Sequence, residues 1–437
     1  MVGEVVLTFI QNHPAPTYWL AYSGGLDSHV LLHACARLRQ QYPRLNFQAI
    51  HIDHGLQADS AAWAVHCQAV CAGLGMPVQV IRLGLHVPAG ESLEAVARAA
   101  RYRAFMDCMQ AGDMLLSAHH QDDQAETLLL NLLRGSGVDG LAAMPACRAL
   151  GAGWLGRPLL ALSRADLQAY ATQHALSPIN DPSNAREDFD RNYLRHAILP
   201  LLQGRWPAVT ANLARAAAWQ AESRDLQQHL LAAPMQAARG SQPDTLSVRA
   251  VLQHDIPLQK ALIRHWLHGL GFAMPSAKKL WHILHDVLQA RADALPCVAW
   301  SGCEVRRYRD NVYAMPPLPA HDPAQVWAWQ DLAIPLFIPS LGLTLTAGQL
   351  DAWQDDLLAN PQAVTVRFRQ GGERLRRKDG HTVALKQWMQ EAGVPPWLRE
   401  RIPLVYVGGE LVVLPDLQAV RAWVEGRFGI AQINNNC

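Results

Sequence analysis

"AYSGGLDSHVLLH", residues Ala21 to His33, decides how the first half of the chain is read. An apolar run ends at Tyr22, two glycines sit between hydroxyls, and an apolar stretch with helical spacing follows. Gly24 and Gly25 permit a tight turn that brings backbone N–H groups and the positive end of the next helix toward an anion. Ser23 and Ser28 add hydroxyl donors. The bland alternative is a strand-to-helix turn in which Ser23 or Asp27 merely caps the helix. The lysine that closes a GK[ST] phosphate loop is missing, and Asp27 stands in that region. A carboxylate there repels a bare triphosphate and makes sense where a Mg²⁺ ion intervenes.

Outward from this turn, short apolar runs alternate with amphipathic ones over the first 200 residues, the pattern of an α/β domain around a parallel sheet. Strands are expected over 18–22, 47–52, 78–83 and 114–118, and helices near 28–40, 60–74 and 92–109. Right-handed crossovers would gather the strand C-termini along one edge, where such sheets bind ligands. A helical stretch over 208–231 leads out of this domain, and a helical region over 251–289 ends in "CEVRRYRDNVYAM", which has strand character. Residues 316–362 carry five acidic residues and no Lys or Arg, and read as a connector with some β structure. The expected fold class is α/β: a Rossmann-like parallel-sheet domain at 1–215, a helical linker at 216–245, a helical middle domain at 246–320, a connector at 321–360 and a small α+β domain at 361–437.

The totals narrow the class of protein. At 437 residues the chain exceeds one ordinary core. No apolar run reaches the roughly 18 residues of a membrane span, and the first eleven residues are not flanked like a signal peptide, so a cytoplasmic protein without membrane contact is expected. The eight cysteines are scattered without a CxxC pair; Cys67 and Cys71, one helical turn apart, read as buried thiols. Net charge is +1, yet only five lysines occur, Lys260, Lys278, Lys279, Lys378 and Lys386. The basic residues of the first domain are therefore all arginines, which fork onto phosphates and stack on bases; in an alanine-rich chain the same bias can reflect genome composition.

Three further segments carry chemistry. "HIDHGL", from His51, ends the second expected strand at the ligand edge, where a lone histidine is as often a loop residue as a contact to a nucleotide. In "SAHHQDDQAETLLLNLLRGSG", from Ser117, Asp122, Asp123 and Glu126 can share one face near a helix start, beside His119 and His120. Any one acid could simply complement the helix dipole. No HExxH occurs, and oxygen-rich groups favour Mg²⁺ or an ammonium ligand over zinc. "NDPSNAREDFDRNYLRHAILPLL", from Asn180, becomes a helix bearing Arg191 and Arg195 one turn apart, and "RAARYRAF" adds Arg98, Arg101 and Arg103.

These segments, with "RPLL" at Arg157 and the tail from Val366 to Leu417, resemble the tRNA(Ile)-lysidine synthetase family of the PP-loop ATP pyrophosphatases, whose SGGxDS signature matches Ser23 to Ser28. The resemblance covers most of the chain. It implies ATP-dependent attachment of free L-lysine to carbon 2 of the wobble cytidine in the CAU anticodon of an isoleucine tRNA, through an adenylated base, with release of AMP and pyrophosphate. It also implies a PP-loop catalytic domain, a middle substrate-binding domain and a C-terminal tRNA-binding domain, with a homodimer as the candidate assembly. Carried onto matching positions, Ser23, Gly24, Gly25, Leu26, Asp27 and Ser28, with His51 and His120, would bind ATP. Asp27 would be the Mg²⁺ ligand and, with Asp123, catalytic; Asp123 and Glu126 would recognise lysine. Arg191, Arg195, Arg374, Arg376, Arg377 and Lys378 would bind tRNA, the last four in a basic stretch with Trp388 and Trp397 downstream. A PP-loop tRNA 2-thiolation enzyme is the alternative, and the lack of paired cysteines counts against it.

Overall fold

The computed structural model describes every residue except 56–59, 85–92, 180–189, 292–293, 319, 340–342, 347–363, 377–381, 408–409 and 414–437. Two compact units, Met1–Gln227 and Gln228–Cys437, divide the chain.

In the first unit, helix α1 (Val2–Asn12) precedes β1 (Tyr18–Ala21), α2 (Leu26–Gln41), β2 (Phe47–Asp53), α3 (Ser60–Gly73), β3 (Val78–Arg82), α4 (Leu93–Cys108), β4 (Met114–Leu116) and α5 (Gln121–Leu133). A short α6 (Val138–Leu141), the hairpin β5 (Cys147–Leu150) and β6 (Gly153–Gly156), and α7 (Arg164–Gln173) follow. The strands join in the order β3-β2-β1-β4-β6-β5, parallel except for the antiparallel edge strand β5. Strand alternation sends Tyr18, Leu20, Phe47, Ala49, Met114 and Leu116 to one face, into a core built with α1, α2, α3 and α7. It sends Trp19, Ile50, Leu115 and Leu155 to the other, under Phe105 of α4. Both faces are covered at β1 and β4, which is why YWLA and MLL read as continuous apolar runs. The expected strands at 18–22, 78–83 and 114–118 stop one or two residues early, leaving Tyr22, Ser117 and Ala118 in loops at the C-terminal edge.

Strand β6 gave no strand signal because it begins and ends on glycine, Gly153 and Gly156. A Cβ on Gly153 would lie 2.3 Å from the Asp113 carbonyl, and one on Gly156 would lie 2.8 Å from the Phe9 ring. Close packing, not strand propensity, selects these residues. There follow α8 (Asp190–Tyr193), a π-helical turn over Leu194–Ile198, α9 (Leu199–Arg205) and the long α10 (Val209–Ala237), within which the first unit ends at Gln227.

In the second unit, β7 (Leu246–Ser247), α11 (Val248–Leu252), α12 (Ile256–Gly269) and α13 (Ala277–His282) lead to β8 (Cys297–Trp300), β9 (Cys303–Tyr308) and β10 (Asn311–Met315). The sheet β7-β10-β9-β8 shares a core with the helices through Leu262, Ile263, Trp266, Val305 and Val312. Farther on, β11 (Val326–Trp329), the hairpin β12 (Leu336–Ile338) and β13 (Leu343–Leu345), β14 (Val364–Arg367), the hairpin β15 (Arg374–Arg376) and β16 (Thr382–Ala384), β17 (Leu404–Val407) and β18 (Glu410–Val413) form small sheets. Strand β11 falls in the stretch read as a connector, and its pairing with β14 makes it the edge of the C-terminal sheet. Trp397 packs edge-on against Tyr313 and Tyr308, with ring centroids 5.4 and 6.4 Å away. Arg306 lies 5.6 Å from its ring, and Arg399 donates to the Tyr308 hydroxyl at 2.9 Å. Trp397, downstream of the basic stretch, therefore packs against aromatic residues of the middle domain. Among the described residues, no helix is long and apolar enough to cross a membrane.

Candidate functional site

The turn between β1 and α2 has the form the glycines require. Gly24 adopts φ +86°, and a Cβ there would sit 2.5 Å from Ile179 Cδ1 and 3.0 Å from Cys67 Sγ. The Ile179 amide donates to the Gly24 carbonyl at 2.9 Å. Gly25 is the N-cap of α2, so the first-turn amides of Leu26, Asp27 and Ser28 are left without helical partners. Ser28 Oγ lies 3.0 Å from Ser23 Oγ and 3.0 Å from the Gly25 carbonyl, to which it donates. Backbone amides and a helix N-terminus then form an anion seat without a lysine.

Asp27, on the first turn of α2, faces the start of α5. His120 is the N-cap of α5 and is fully buried. Its Nε2 lies 3.6 Å from Asp27 Oδ2 and 3.5 Å from Asp123 Oδ2, and its Nδ1 3.5 Å from Asp122 Oδ2. These spacings are too long for hydrogen bonds, so the cluster is held by charge. Burial alone would lower the imidazole pKa, but contacts with Asp122 and Asp27 and the charge of Asp123 outweigh it and push it up to about 9. The Asp122 amide lies 3.3 Å from Nδ1, a contact that only the neutral imidazole accepts and that protonation gives up for the three surrounding carboxylates. Burial would raise Asp122 and Asp123, yet His120 and, for Asp123, Arg191 hold both carboxyls below the ordinary range. The neighbouring His119 is pulled down to about 4, first by burial; Asp123 opposes this, and Arg157, Arg191 and Arg98 reinforce it.

Across α5, one turn on, Glu126 is fully buried. Arg191 Nε donates to Glu126 Oε2 at 2.6 Å and Arg195 Nε to Oε1 at 2.6 Å, while Arg195 Nη2 reaches Oε2 at 3.0 Å. The same guanidinium groups reach Asp123 Oδ1 through Nη2 at 2.8 and 3.1 Å. Asp123 Oδ2 accepts the His120 amide at 2.9 Å. Arg191 and Arg195, assigned to tRNA from the sequence, thus spend these donors on carboxylates inside the domain. Arg191 sits on α8, Asp190–Tyr193, and Arg195 on the π turn over Leu194–Ile198 that continues it.

The structure brings Ser23, Gly24, Gly25, Leu26, Asp27, Ser28, His120, Asp123 and Glu126 to one edge of the sheet. His51 is buried at the end of β2 with Nδ1 2.9 Å from the Tyr22 carbonyl, which ties that strand to the turn. Arg374 is exposed at the start of β15, and Arg376 ends that strand. Arg377 and Lys378 lie outside the described residues, as do residues 180–189 of the fourth segment. Nearby, Arg367 stacks on Tyr406 at 4.1 Å and Glu373 accepts the Gly371 amide at 2.7 Å, so part of the basic stretch is folded on itself. Ile179, which closes over Gly24, carried no sequence signal.

Asp27 Oδ1 is buried without a hydrogen-bond partner. Among the described residues, no group of three or more His, Cys, Asp or Glu is arranged to hold a metal. Mg²⁺ usually keeps its waters and is bound by one or two carboxylates plus substrate phosphates. The orphaned oxygen beside the phosphate turn fits an ion carried in by a nucleotide.

Residues 3–202 match the family model of the PP-loop domain, 246–313 that of the TilS substrate binding domain, and 364–428 that of the TilS substrate C-terminal domain. The tRNA(Ile)-lysidine synthase of Methylococcus capsulatus is 41% identical over 426 residues, covering 95% of this chain and 94% of that protein. Those of Coxiella burnetii and Alkalilimnicola ehrlichii are 41% and 42% identical, covering 94% and 92% of this chain and 91% and 90% of theirs. With its PP-loop turn, its middle domain and its tail all matched, the chain belongs to the tRNA(Ile)-lysidine synthase family.

Proposed function

We propose that the protein uses ATP to attach free lysine to carbon 2 of the wobble cytidine in the CAU anticodon of an isoleucine tRNA. In the first step, O2 of the base bonds to the α-phosphorus of ATP and the α–β bond breaks, releasing pyrophosphate. In the second, the ε-amino nitrogen of lysine bonds to carbon 2, and O2 departs with AMP. The turn from Ser23 to Ser28 holds the phosphates through amides and hydroxyls, a preorganised arrangement that needs no rearrangement as charge moves. Asp27 would hold Mg²⁺, which when bound offsets the phosphate charge.

The observation that carries this reading is the lone-pair balance on the two carboxylates of α5, Asp123 and Glu126. Two carboxylates offer roughly eight lone-pair positions; on Asp123 and Glu126 the two arginines and the His120 amide fill six. The remainder suits an amine donor placed between nucleotide and helix. Thiolation is not favoured: Cys67 and Cys71 lie fully buried beneath the turn, their thiols pushed up by burial to about 11 and about 12, far from nucleophilic at neutral pH.

The test is AMP and pyrophosphate release from ATP by the full chain. Release is expected only when lysine and the isoleucine tRNA are both present. Turnover with sulfide or ammonia in place of lysine would overturn the assignment.

A further inference from the structure

The arginines on the far side of His119 form a second grouping, distinct from the acidic cluster. Arg98, Arg101 and Arg148 lie 5.2, 5.9 and 5.8 Å from the centroid of one ring, that of Tyr102. Arg98 and Tyr102 come from α4, and Arg148 comes from β5, opposite Leu155 of β6. Arg157 follows directly on the C-terminal end of β6, so this grouping lies along the same sheet edge as the phosphate turn, beyond β4.

Two features separate it from a solvated basic face. Arg157 is only 5% exposed; Nη1 donates to the Pro145 carbonyl at 2.7 Å, and Nε is buried with no partner. Among the described residues, no carboxylate lies within ion-pair distance of Arg98, Arg148 or Arg157, although ion pairs elsewhere in the unit are tight. A buried cation with no counter-charge is costly, and here it is surrounded by like charges held together by one aromatic quadrupole. Burial pulls the Arg157 pKa down, and Arg148 and Arg98 add to the fall while Tyr102 opposes it, as expected of a cation lacking its anion.

We propose that Arg98 and Arg148, both over the Tyr102 ring, together with the buried Arg157 at the sheet edge, form a seat for a phosphate of the RNA substrate next to the reacting nucleotide. The phosphate turn supplies a separate seat for the ATP phosphates, and the Arg191–Arg195 pair is already engaged by Asp123 and Glu126. Guanidinium forks suit the non-bridging oxygens of a phosphodiester. Phosphate contacts of this kind fix register without reading sequence. The inference rests on the proposed RNA substrate, and it adds Arg148, a residue no motif marked.

The variants are Arg148→Ala, Arg148→Lys and Arg148→Glu in the full chain, chosen because Arg148 is exposed and outside the core. Affinity for the isoleucine tRNA is measured from about 50 to 200 mM salt, alongside affinity for ATP and inorganic pyrophosphate, in the same range used to read phosphate contacts. Arg148→Ala should reduce the slope of log affinity against log salt by about 0.7, the value for one single-strand phosphate contact. Arg148→Lys should restore that slope, Arg148→Glu should weaken tRNA binding further, and ATP affinity should hold in all three. An unchanged slope in Arg148→Ala and Arg148→Glu overturns the seat. Lost pyrophosphate or ATP affinity with an intact tRNA slope assigns the arginines to the small molecule and also overturns it. If the unmodified protein fails to bind the tRNA at all, the fault lies with the proposed function instead.

Discussion

His120→Gln removes the one cation that Asp27, Asp122 and Asp123 share. The imidazole is fully buried, and its pKa is pushed from 6.5 to about 9 against the pull of burial. At about 1.4 kcal/mol for each tenfold tighter hold on the proton, that rise corresponds to roughly 3.5 kcal/mol of stabilisation at most. Because the folded state holds this proton more tightly than the unfolded chain, the stabilisation is complete below about pH 6.5 and is lost as pH rises through about 9. His29 and His119 act in the opposite sense. Both are pulled down to about 4, first by burial, so they stay neutral on folding and stability falls as pH drops from about 6.5 toward 4. Chemical denaturation at pH 6.5, 8 and 9.5 should show the unmodified protein losing up to about 3 kcal/mol over that range beyond any loss in His120→Gln. The acid-side decline should be common to both. Parallel profiles from pH 6.5 to 9.5 would show that the carboxylates do not hold a buried proton on His120.

Two substitutions probe the rest of the site. Glu126→Gln keeps the shape but turns an NH₂ toward a guanidinium that now sits 2.6 Å from an oxygen; the Michaelis constant for lysine should rise roughly ten- to hundredfold, the range for a lost hydrogen bond to a charged group, while ATP affinity holds. Equal loss of both would remove the division of labour between α5 and the turn. Gly24→Ala forces a Cβ against Ile179 and Cys67 at positive φ, so the fold should lose about 1–3 kcal/mol, the usual scale of overpacking, and calorimetry should find ATP binding weakened as well; unchanged affinity would mean that this turn shape is not what holds the phosphates.

The parallel strands were legible because both sheet faces are buried at the centre, so 18–21 reads as an unbroken apolar run and 47–53 as an apolar run interrupted by Gln48, His51 and Asp53. The glycine turn and the acids of α5 were legible because local spacing places them at strand ends and on one helix face. The pairing of Glu126 with Arg191 and Arg195 was not, since 65 and 69 residues separate the partners and no local pattern links them. Helix α1 was missed for its β-branched composition, Val2, Val5 and Val6 among others, which packing against α2 overrides. Strand β6 was missed because Gly153 and Gly156 are there to let other groups approach.

Trp397 links the two parts of the second unit through a single side chain. Its ring meets Tyr308 and Tyr313 edge-on and lies near Arg306, while Arg399 donates to the Tyr308 hydroxyl. Truncating the indole would therefore remove contacts to three residues of the middle domain at once, so one position in the tail reaches across to strands β9 and β10.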